Sequence, residues 1–255
     1  MIEHHLKTIL EKTLQELSID CVIFGFHAGE LKVLLLRWKA TDGWSLPGGR
    51  IYKDESADNA ATRILLERTG LSEIFLHQFH TFGDTNRNKY FTEAELVQKL
   101  EATFGSNFLA QLVDKRVVSI GYFALVEFDQ VQATPDWYTD ECRWWGISEV
   151  PPLLFDHNEM IERALKALRQ QIRNQPVGYN LLPEKFTMPE LQRLYETILD
   201  KQFDRRNFQK LLMSYDILEK LEEKRIGVAN KSPFLYRFDK QKYEAAMANG
   251  VSFSM

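Results

Sequence analysis

The chain has 255 residues, 44% of them hydrophobic, and a formal net charge of −4. That length accommodates one large domain or two smaller ones with an ordinary core, and the absence of any run of about 18 apolar residues excludes a membrane-spanning helix. The negative balance excludes a uniformly basic nucleic-acid binder, yet residues 180–255 hold 13 Lys and Arg against 11 Asp and Glu, while residues 1–179 hold 19 against 25. The C-terminal part is therefore the better partner for a polyanion. Met1-Ile-Glu-His-His-Leu-Lys lacks a signal peptide's basic start and continuous apolar stretch. Cys21 and Cys142 form no metal or redox motif, so a reduced, cytoplasmic protein is expected.

Ile2, Leu6, Ile9, Leu10, Thr13, Leu14 and Leu17 recur at helical spacing and predict an amphipathic helix over residues 1–19, packed on its own domain or against a second copy. Asp20 to Arg37 reads as a β-hairpin around the turn His27-Ala-Gly-Glu. Trp44-Ser-Leu is a strand running into Pro47-Gly-Gly, where two glycines suit a tight loop and a close backbone approach to a ligand. Asp54 or Ser56 caps the next helix, Ala60, Ala61, Ile64 and Leu65 form its buried stripe, and Gly70 ends it. Phe75 to Phe82 and the run from Val117 to Val126 are strands. Between them Thr92-x-x-Glu95 is a capping box, and Leu96, Leu100 and Phe104 mark an inserted helix that Gly105 stops.

Glu141 to Ile147 is a further strand, and Asn158 to Arg173 a helix with Met160, Ile161, Ala164, Leu165 and Leu168 inward. Strands and helices mix without regular alternation, so the fold class is α+β. Two prolines and a glycine in Pro176-Val-Gly-Tyr-Asn-Leu-Leu-Pro183 predict a linker, placed at 176–185, between a domain at 20–175 and another at 186–255. In the latter, Thr187-x-x-Glu190 is a capping box with Pro189 in the first turn, and Leu191, Leu194, Tyr195, Ile198 and Leu199 form one helix face. Asp204 caps a second helix that buries Phe208, Leu211 and Leu212. Ile217-Leu-Glu-Lys and Phe234-Leu-Tyr-Arg-Phe then flank a polar loop. Helix, short turn, helix and hairpin make a winged helix-turn-helix.

Gly48 to Leu71 carries the first chemical signal. Gly49, Glu55, Arg63, Leu65, Glu67, Gly70 and Leu71 fall in register with the Nudix box, and roughly Asp20 to Asn174 resembles that family. The resemblance implies an α/β/α sandwich with a mixed sheet, and cleavage of nucleoside diphosphate compounds by Mg²⁺ held on helix glutamates. Mg²⁺ needs hard oxygen ligands, and here two of three box glutamates are replaced by Ile64 and Arg68. An isoleucine cannot ligate and an arginine repels the ion, so hydrolysis is not expected, and no metal or cofactor is assigned. Glu67 is placed to pair with Arg63 four residues earlier, and Glu55 to brace the loop. Gly48, Gly49, Arg50 and Arg68 remain suited to an anionic or hydroxylated ligand.

Asp84-x-Asn86-x-Asn88 with Glu95 matches calcium-loop spacing, but Lys89 stands where glycine is required. Phe82 to Arg87 is instead similar to a loop near the effector pocket of Nudix-derived regulators, which adds Asp84 and Arg87 to the ligand set. Phe186-Thr-Met-Pro-Glu-Leu-Gln-x-x-Tyr-Glu, Asp204-Arg-Arg-Asn-Phe and Val177-Gly-Tyr-Asn-Leu-Leu-Pro resemble the winged helix and linker of Nudix-related transcriptional regulators, which control NAD metabolism or sugar use in bacteria. Arg205, Arg206 and Asn207 begin the second helix, where recognition helices meet base edges, with Lys210 one turn on. Lys224, Arg225 and Lys231 lie in the wing, where cations suit phosphates.

The expected function is a ligand-responsive regulator that binds operator DNA as a homodimer and senses a sugar or nucleotide-sugar effector. Two alternatives stay open: a hydrolase of ADP-ribose or a related compound that recruits Asp54, Glu55, Asp84 or Glu141 to hold Mg²⁺, and a module whose winged helix binds protein.

Overall fold

The structure, a computed structural model, describes residues 11–39, 41–72, 74–87, 94–105, 116–174, 179–226 and 232–248. It divides into two compact units. One comprises Met1–Phe24, Lys32–Leu125 and Gln130–Ala164, and the other Gly25–Leu31, Val126–Asp129 and Leu165–Met255.

The elements of the first part of the chain are β1 (Thr13–His27), β2 (Glu30–Trp38), β3 (Trp44–Ser45), β4 (Gly48–Tyr52), α1 (Ala57–Thr69), β5 (Phe75–Phe82), α2 (Ala94–Phe104), β6 (Val118–Val126), β7 (Thr139–Gly146) and α3 (His157–Asn174). The sheet runs β3-β2-β1-β6-β5, with β4 added to β1 and β7 to β2. The predicted hairpin is present, and its turn places Ala28 and Gly29 at φ 53° and 84°.

The amphipathic helix expected over residues 1–19 needs correcting. Thr13, Leu14 and Leu17 lie in β1, which pairs with β4 at Thr13 and again from Ser18 to Asp20, across a bulge. Cross-strand hydrogen bonds outweigh a local helical periodicity once a partner strand is in place. Glu11 and Lys12 are helical, as expected, and the rest of that prediction falls on residues 1–10, outside the described residues.

Gly48 and Gly49 also differ from expectation. They open β4 opposite Asp20 and Ile19 rather than forming a tight loop. A Cβ at Gly48 would collide with Asp20 Oδ1 and lie 2.8 Å from the Ile19 carbonyl oxygen. Glycine is needed there for close approach, not for a turn.

Helix α1 follows its sequence signals. Ser56 Oγ accepts from the Asn59 amide at 3.2 Å, and Gly70, at φ 74°, donates its N–H to Leu66 O at 2.8 Å. Ala60, Ala61, Ile64 and Leu65 are buried as predicted, and Arg68 and Thr69 extend the same face. The inserted helix α2 is present, with Gly105 at φ 92° closing it, although Thr92 lies outside the described residues. Its Leu100 and Phe104 bury against Trp38 and Leu154, with Trp137, Tyr138 and Phe155 packed around them.

The C-terminal part holds β8 (Phe186–Thr187), α4 (Met188–Leu199), α5 (Arg205–Ser214), β9 (Leu218–Lys224), β10 (Phe234–Phe238) and α6 (Lys240–Ala248). The strands form an antiparallel sheet in the order β8-β10-β9. The predicted capping box at α4 is complete, with Thr187 N donating to Glu190 Oε2 at 2.6 Å and Glu190 N to Thr187 Oγ1 at 3.3 Å. Tyr195 and Phe208 meet at 5.5 Å between ring centroids and seat α5 on α4. The linker expected at 176–185 is partly core, because Leu181 and Leu182 are buried, and residues 175–178 lie outside the described residues. Helix α6 was not foreseen; its Tyr243 packs on Tyr179 at 5.2 Å and Phe238 at 5.5 Å. In the same unit Thr197 Oγ1 donates to the Gly29 carbonyl at 3.1 Å.

Candidate ligand cavity and DNA-facing helix

A cavity of about 860 Å³ opens among β1, β4, α1, the segment before β7 and the start of α3. That is the size of a small-molecule site. Lys12, Arg50, Lys53, Arg63, Arg68 and Arg87 line it, against Asp20, Asp54, Glu67 and Asp136. Six cations against four carboxylates favour an anionic ligand. Trp38, Trp137, Tyr138 and Phe155 supply apolar wall, and all four belong to the cluster packed on α2. The inserted helix thus backs one side of the cavity.

The mouth is braced from α1. Arg63 donates to Glu55 through Nε at 3.1 Å and Nη2 at 2.6 Å, and Nη2 also reaches Arg50 O at 2.9 Å. Its guanidinium lies 4.1 Å from the Tyr52 ring centroid. Burial pushes the Glu55 carboxyl up, but hydrogen bonds from Arg63 and the Tyr52 amide outweigh it and hold the group below its ordinary value. Glu55 and Arg63 therefore do what the spacing predicted. Glu67 pairs with Arg63 at 3.5 Å, also as predicted, and with Arg68 at 3.4 Å.

Two of the three box positions offer Mg²⁺ no oxygen ligand. Ile64 is fully buried, 3.3 Å from where a Gly49 Cβ would stand, and Arg68 is a buried cation. Of the four substitutes considered, Asp54 lines the cavity, as Glu67 does, while the other three are engaged elsewhere or lie off its lining. Glu55 is held by Arg63, Glu141 faces Arg37 at 3.2 Å, and Asp84 is absent from the cavity lining. No group of three or more His, Cys, Asp or Glu side chains could hold a metal ion among the described residues.

Among the expected ligand residues, Gly48, Gly49, Arg50, Arg68 and Arg87 line the cavity. Asp84 is corrected: it is exposed, and its Oδ1 accepts from the Asn86 amide at 2.7 Å, an Asx turn that shapes the loop delivering Arg87. Arg50 donates to the Gln15 carbonyl, and burial lowers its pKa against the opposing pull of Asp20. Arg87 is buried, with Nη2 2.9 Å from Asp156 Oδ1 and 3.6 Å from Asp20 Oδ2, and Nη1 3.2 Å from Val117 O.

Three polar groups of this site, Asp20, Asp136 and His157, escaped the sequence reading. Asp20 lies at the cavity floor, hydrogen-bonded by Ser119 Oγ and 3.6 Å from His157 Nε2. His157 Nδ1 accepts from the Leu46 amide at 2.9 Å, and burial holds the imidazole below its ordinary pKa, against Asp20 and Asp156. Asp136 has a signal in Asp136-x-x-Thr139, a turn motif whose carboxylate bonds the amides that follow. Asp20 has a weaker one, a charge beside the apolar run Cys21 to Phe24.

In the winged-helix part, Asp204 Oδ1 caps α5, accepting from Arg206 N at 3.1 Å and Asn207 N at 2.9 Å. Arg205, Arg206, Asn207 and Lys210 are all exposed on the first turns of α5. Lys224 is exposed at the end of β9, with Nζ 4.9 Å from the Phe234 ring centroid. Arg225 donates to Glu190 at 2.7 Å and 2.9 Å, which ties the wing to the capping box of α4. Lys231 lies outside the described residues.

Comparison with known proteins agrees with this layout. A NUDIX domain model matches residues 14–166, and an NrtR DNA-binding winged helix domain model matches residues 178–238. The chain is 26% identical over 236 residues, 89% of this chain and 84% of the relative, to the ADPR responsive transcriptional repressor NtrR of Acinetobacter baylyi. The structure of Shewanella oneidensis NrtR complexed with a 27mer DNA is similar with a TM-score of 0.71 and 27% identity, covering 90% of this chain and 96% of that one. A MutT/nudix family protein from Enterococcus faecalis shares the fold with a TM-score of 0.62 and 20% identity, covering 94% of each chain. The chain belongs to the NUDIX family and carries an NrtR DNA-binding winged helix domain after its NUDIX domain.

Proposed function

We propose that this protein is a transcriptional repressor that binds operator DNA through α5 and is controlled by ADP-ribose in the Nudix cavity. One observation carries the reading: the cavity keeps its volume and its cations while positions 64 and 68 have lost the metal-binding oxygens. A site of that kind binds a nucleoside diphosphate sugar without cleaving it. The relative from Acinetobacter baylyi, described as ADPR responsive, supports the choice of ligand, and the relative solved with DNA supports the role of the winged helix. Two copies acting on a two-fold operator would present two α5 helices to successive major grooves. Control requires that ADP-ribose favour one arrangement of those helices over another, since a ligand shifts an equilibrium only by its differential affinity.

The test is fluorescence anisotropy on the DNA upstream of the protein's own gene, with and without ADP-ribose, alongside a turnover assay with Mg²⁺. Specific binding that ADP-ribose weakens, and that Arg205→Ala reduces by about 1–3 kcal/mol if it reads a guanine, is expected. DNA binding indifferent to ADP-ribose, together with Mg²⁺-dependent turnover abolished in Glu67→Gln, would instead establish the hydrolase.

A further inference from the structure

Arg68 occupies a box position where a glutamate is the rule, and its own contacts are poor. Nη1 reaches Thr134 O at 3.5 Å, Nη2 reaches Glu67 Oε2 at 3.4 Å and Asp136 Oδ2 at 3.8 Å, and Nε has no hydrogen-bond partner. The neighbouring Arg63 and Arg87 are closed at 2.6 Å and 2.9 Å, although Arg87 Nε is likewise unpartnered. The Arg68 side chain is only 11% exposed. A buried guanidinium with long contacts and one unpartnered N–H has an unmet hydrogen-bond demand.

Asp136 presents the complementary demand. Its Oδ1 accepts from Tyr138 N at 3.2 Å, Thr139 N at 3.0 Å and Thr139 Oγ1 at 2.8 Å. That turn fixes the rotamer and directs Oδ2 toward Arg68. Oδ2 is buried and accepts no hydrogen bond, in a side chain 4% exposed. The Tyr138 phenol, which also faces the Asp136 carboxylate, stays neutral, because burial and then the charge and hydrogen-bonding pull of Asp136 push its ionisation well up. Both Arg68 and Asp136 line the cavity.

We propose that Arg68 and Asp136 act as one reader of a ligand hydroxyl, which accepts from the Arg68 guanidinium and donates to Asp136 Oδ2. Only a group that both accepts and donates meets both demands. A phosphate oxygen accepts from Arg68 but has no proton for Asp136, whose charge repels it. The pair therefore selects a ribose hydroxyl over a phosphate, and the lost metal position has become a sugar-specific contact. Arg68 Nε and Asp136 Oδ2 are both covered, and the long contacts of Arg68 let its guanidinium move aside as the hydroxyl enters. This rests on the proposed ADP-ribose reading of the cavity.

Calorimetric titration of the full chain with ADP-ribose, ADP and ribose 5-phosphate tests it, on wild type, Asp136→Asn and Arg68→Lys. Asparagine keeps the Oδ1 acceptor of the turn, and melting without ligand checks each fold. Loss of a charged hydrogen bond predicts about 10–100-fold weaker ADP-ribose binding in Asp136→Asn. One fragment, the one bearing the hydroxyl that is read, weakens with it while the other holds. Arg68→Lys keeps the charge but not the fork of donors, and shows the same split. An equal fall for all three ligands marks a structural role and overturns the inference while the ADP-ribose reading stands, as does unchanged ADP-ribose binding in both variants. Wild type that ignores ADP-ribose overturns the proposed function. The pair is then judged on ribose 5-phosphate, and fails with it if that compound is ignored too.

Discussion

Gly48 shows how a residue chosen for one reason by sequence logic serves another in the fold. Its missing Cβ makes room for the Asp20 carboxylate at the cavity floor. Gly48→Ala is expected to destabilise the protein by about 1–3 kcal/mol, the usual cost of forcing an atom into packed surroundings, measured by urea denaturation. Wild-type stability in that variant would mean that β4 shifts without cost. His157 sets a pH dependence whose sign follows from its environment. Its folded pKa lies below the ordinary value because burial disfavours the imidazolium, and Nδ1 must stay unprotonated to accept from Leu46. The unfolded chain therefore takes the proton first. The contribution is complete above about pH 6.5 and is lost as the pH falls below it. Denaturation midpoints from pH 7.5 down to pH 5 should decline in wild type and decline less steeply in His157→Gln. Identical slopes would place the acid sensitivity elsewhere.

Helix α2 is an insertion in sequence but a buttress in structure. Leu100 and Phe104 support Trp38, Trp137, Tyr138 and Phe155, which line the cavity. Leu100→Ala is expected to cost about 2–5 kcal/mol of stability and to weaken ADP-ribose binding as well, because the aromatic wall loses its backing. A stability loss with unchanged ligand affinity would show that the wall holds without α2. The wing is held in a comparable way. Arg225 bridges to Glu190, whose carboxylate also completes the capping box of α4. With side chains 36% and 44% exposed, that ion pair fixes geometry more than it stabilises.

For the molecule as a whole, the net charge of −4 means that affinity for DNA must come from local cations rather than from the overall field. Operator binding should therefore weaken steeply and linearly in log salt, with a slope of about 0.9 per phosphate contacted. Arg206→Ala is expected to lower the slope by about one if its partner is a phosphate. A salt-insensitive complex would point to a protein partner instead. Ligand occupancy should be visible in the same preparation, since ADP-ribose at about 100 times its dissociation constant stabilises the fold that binds it by roughly 2.7 kcal/mol.

Local chemistry was legible in the chain. The register of the Nudix box gave α1, its Ser56 and Gly70 ends, the Glu55–Arg63 brace and the loss of metal ligands at Ile64 and Arg68, because all of these lie within a few turns of one another. Capping boxes and amphipathic faces gave α4 and α5 for the same reason. What could not be read is convergence. Asp20, Arg87, Asp136 and His157 come from four separate stretches, and only the sheet and the ends of its helices bring them to one cavity. Strand formation likewise claimed Thr13 to Leu17, whose periodicity is helical, and Arg225, in the wing, gained an ion pair with Glu190 that no local pattern announces. A periodicity or a charge in sequence records what a residue can do. Its tertiary partners, which compete for the same hydrogen bonds and the same buried space, decide what it does.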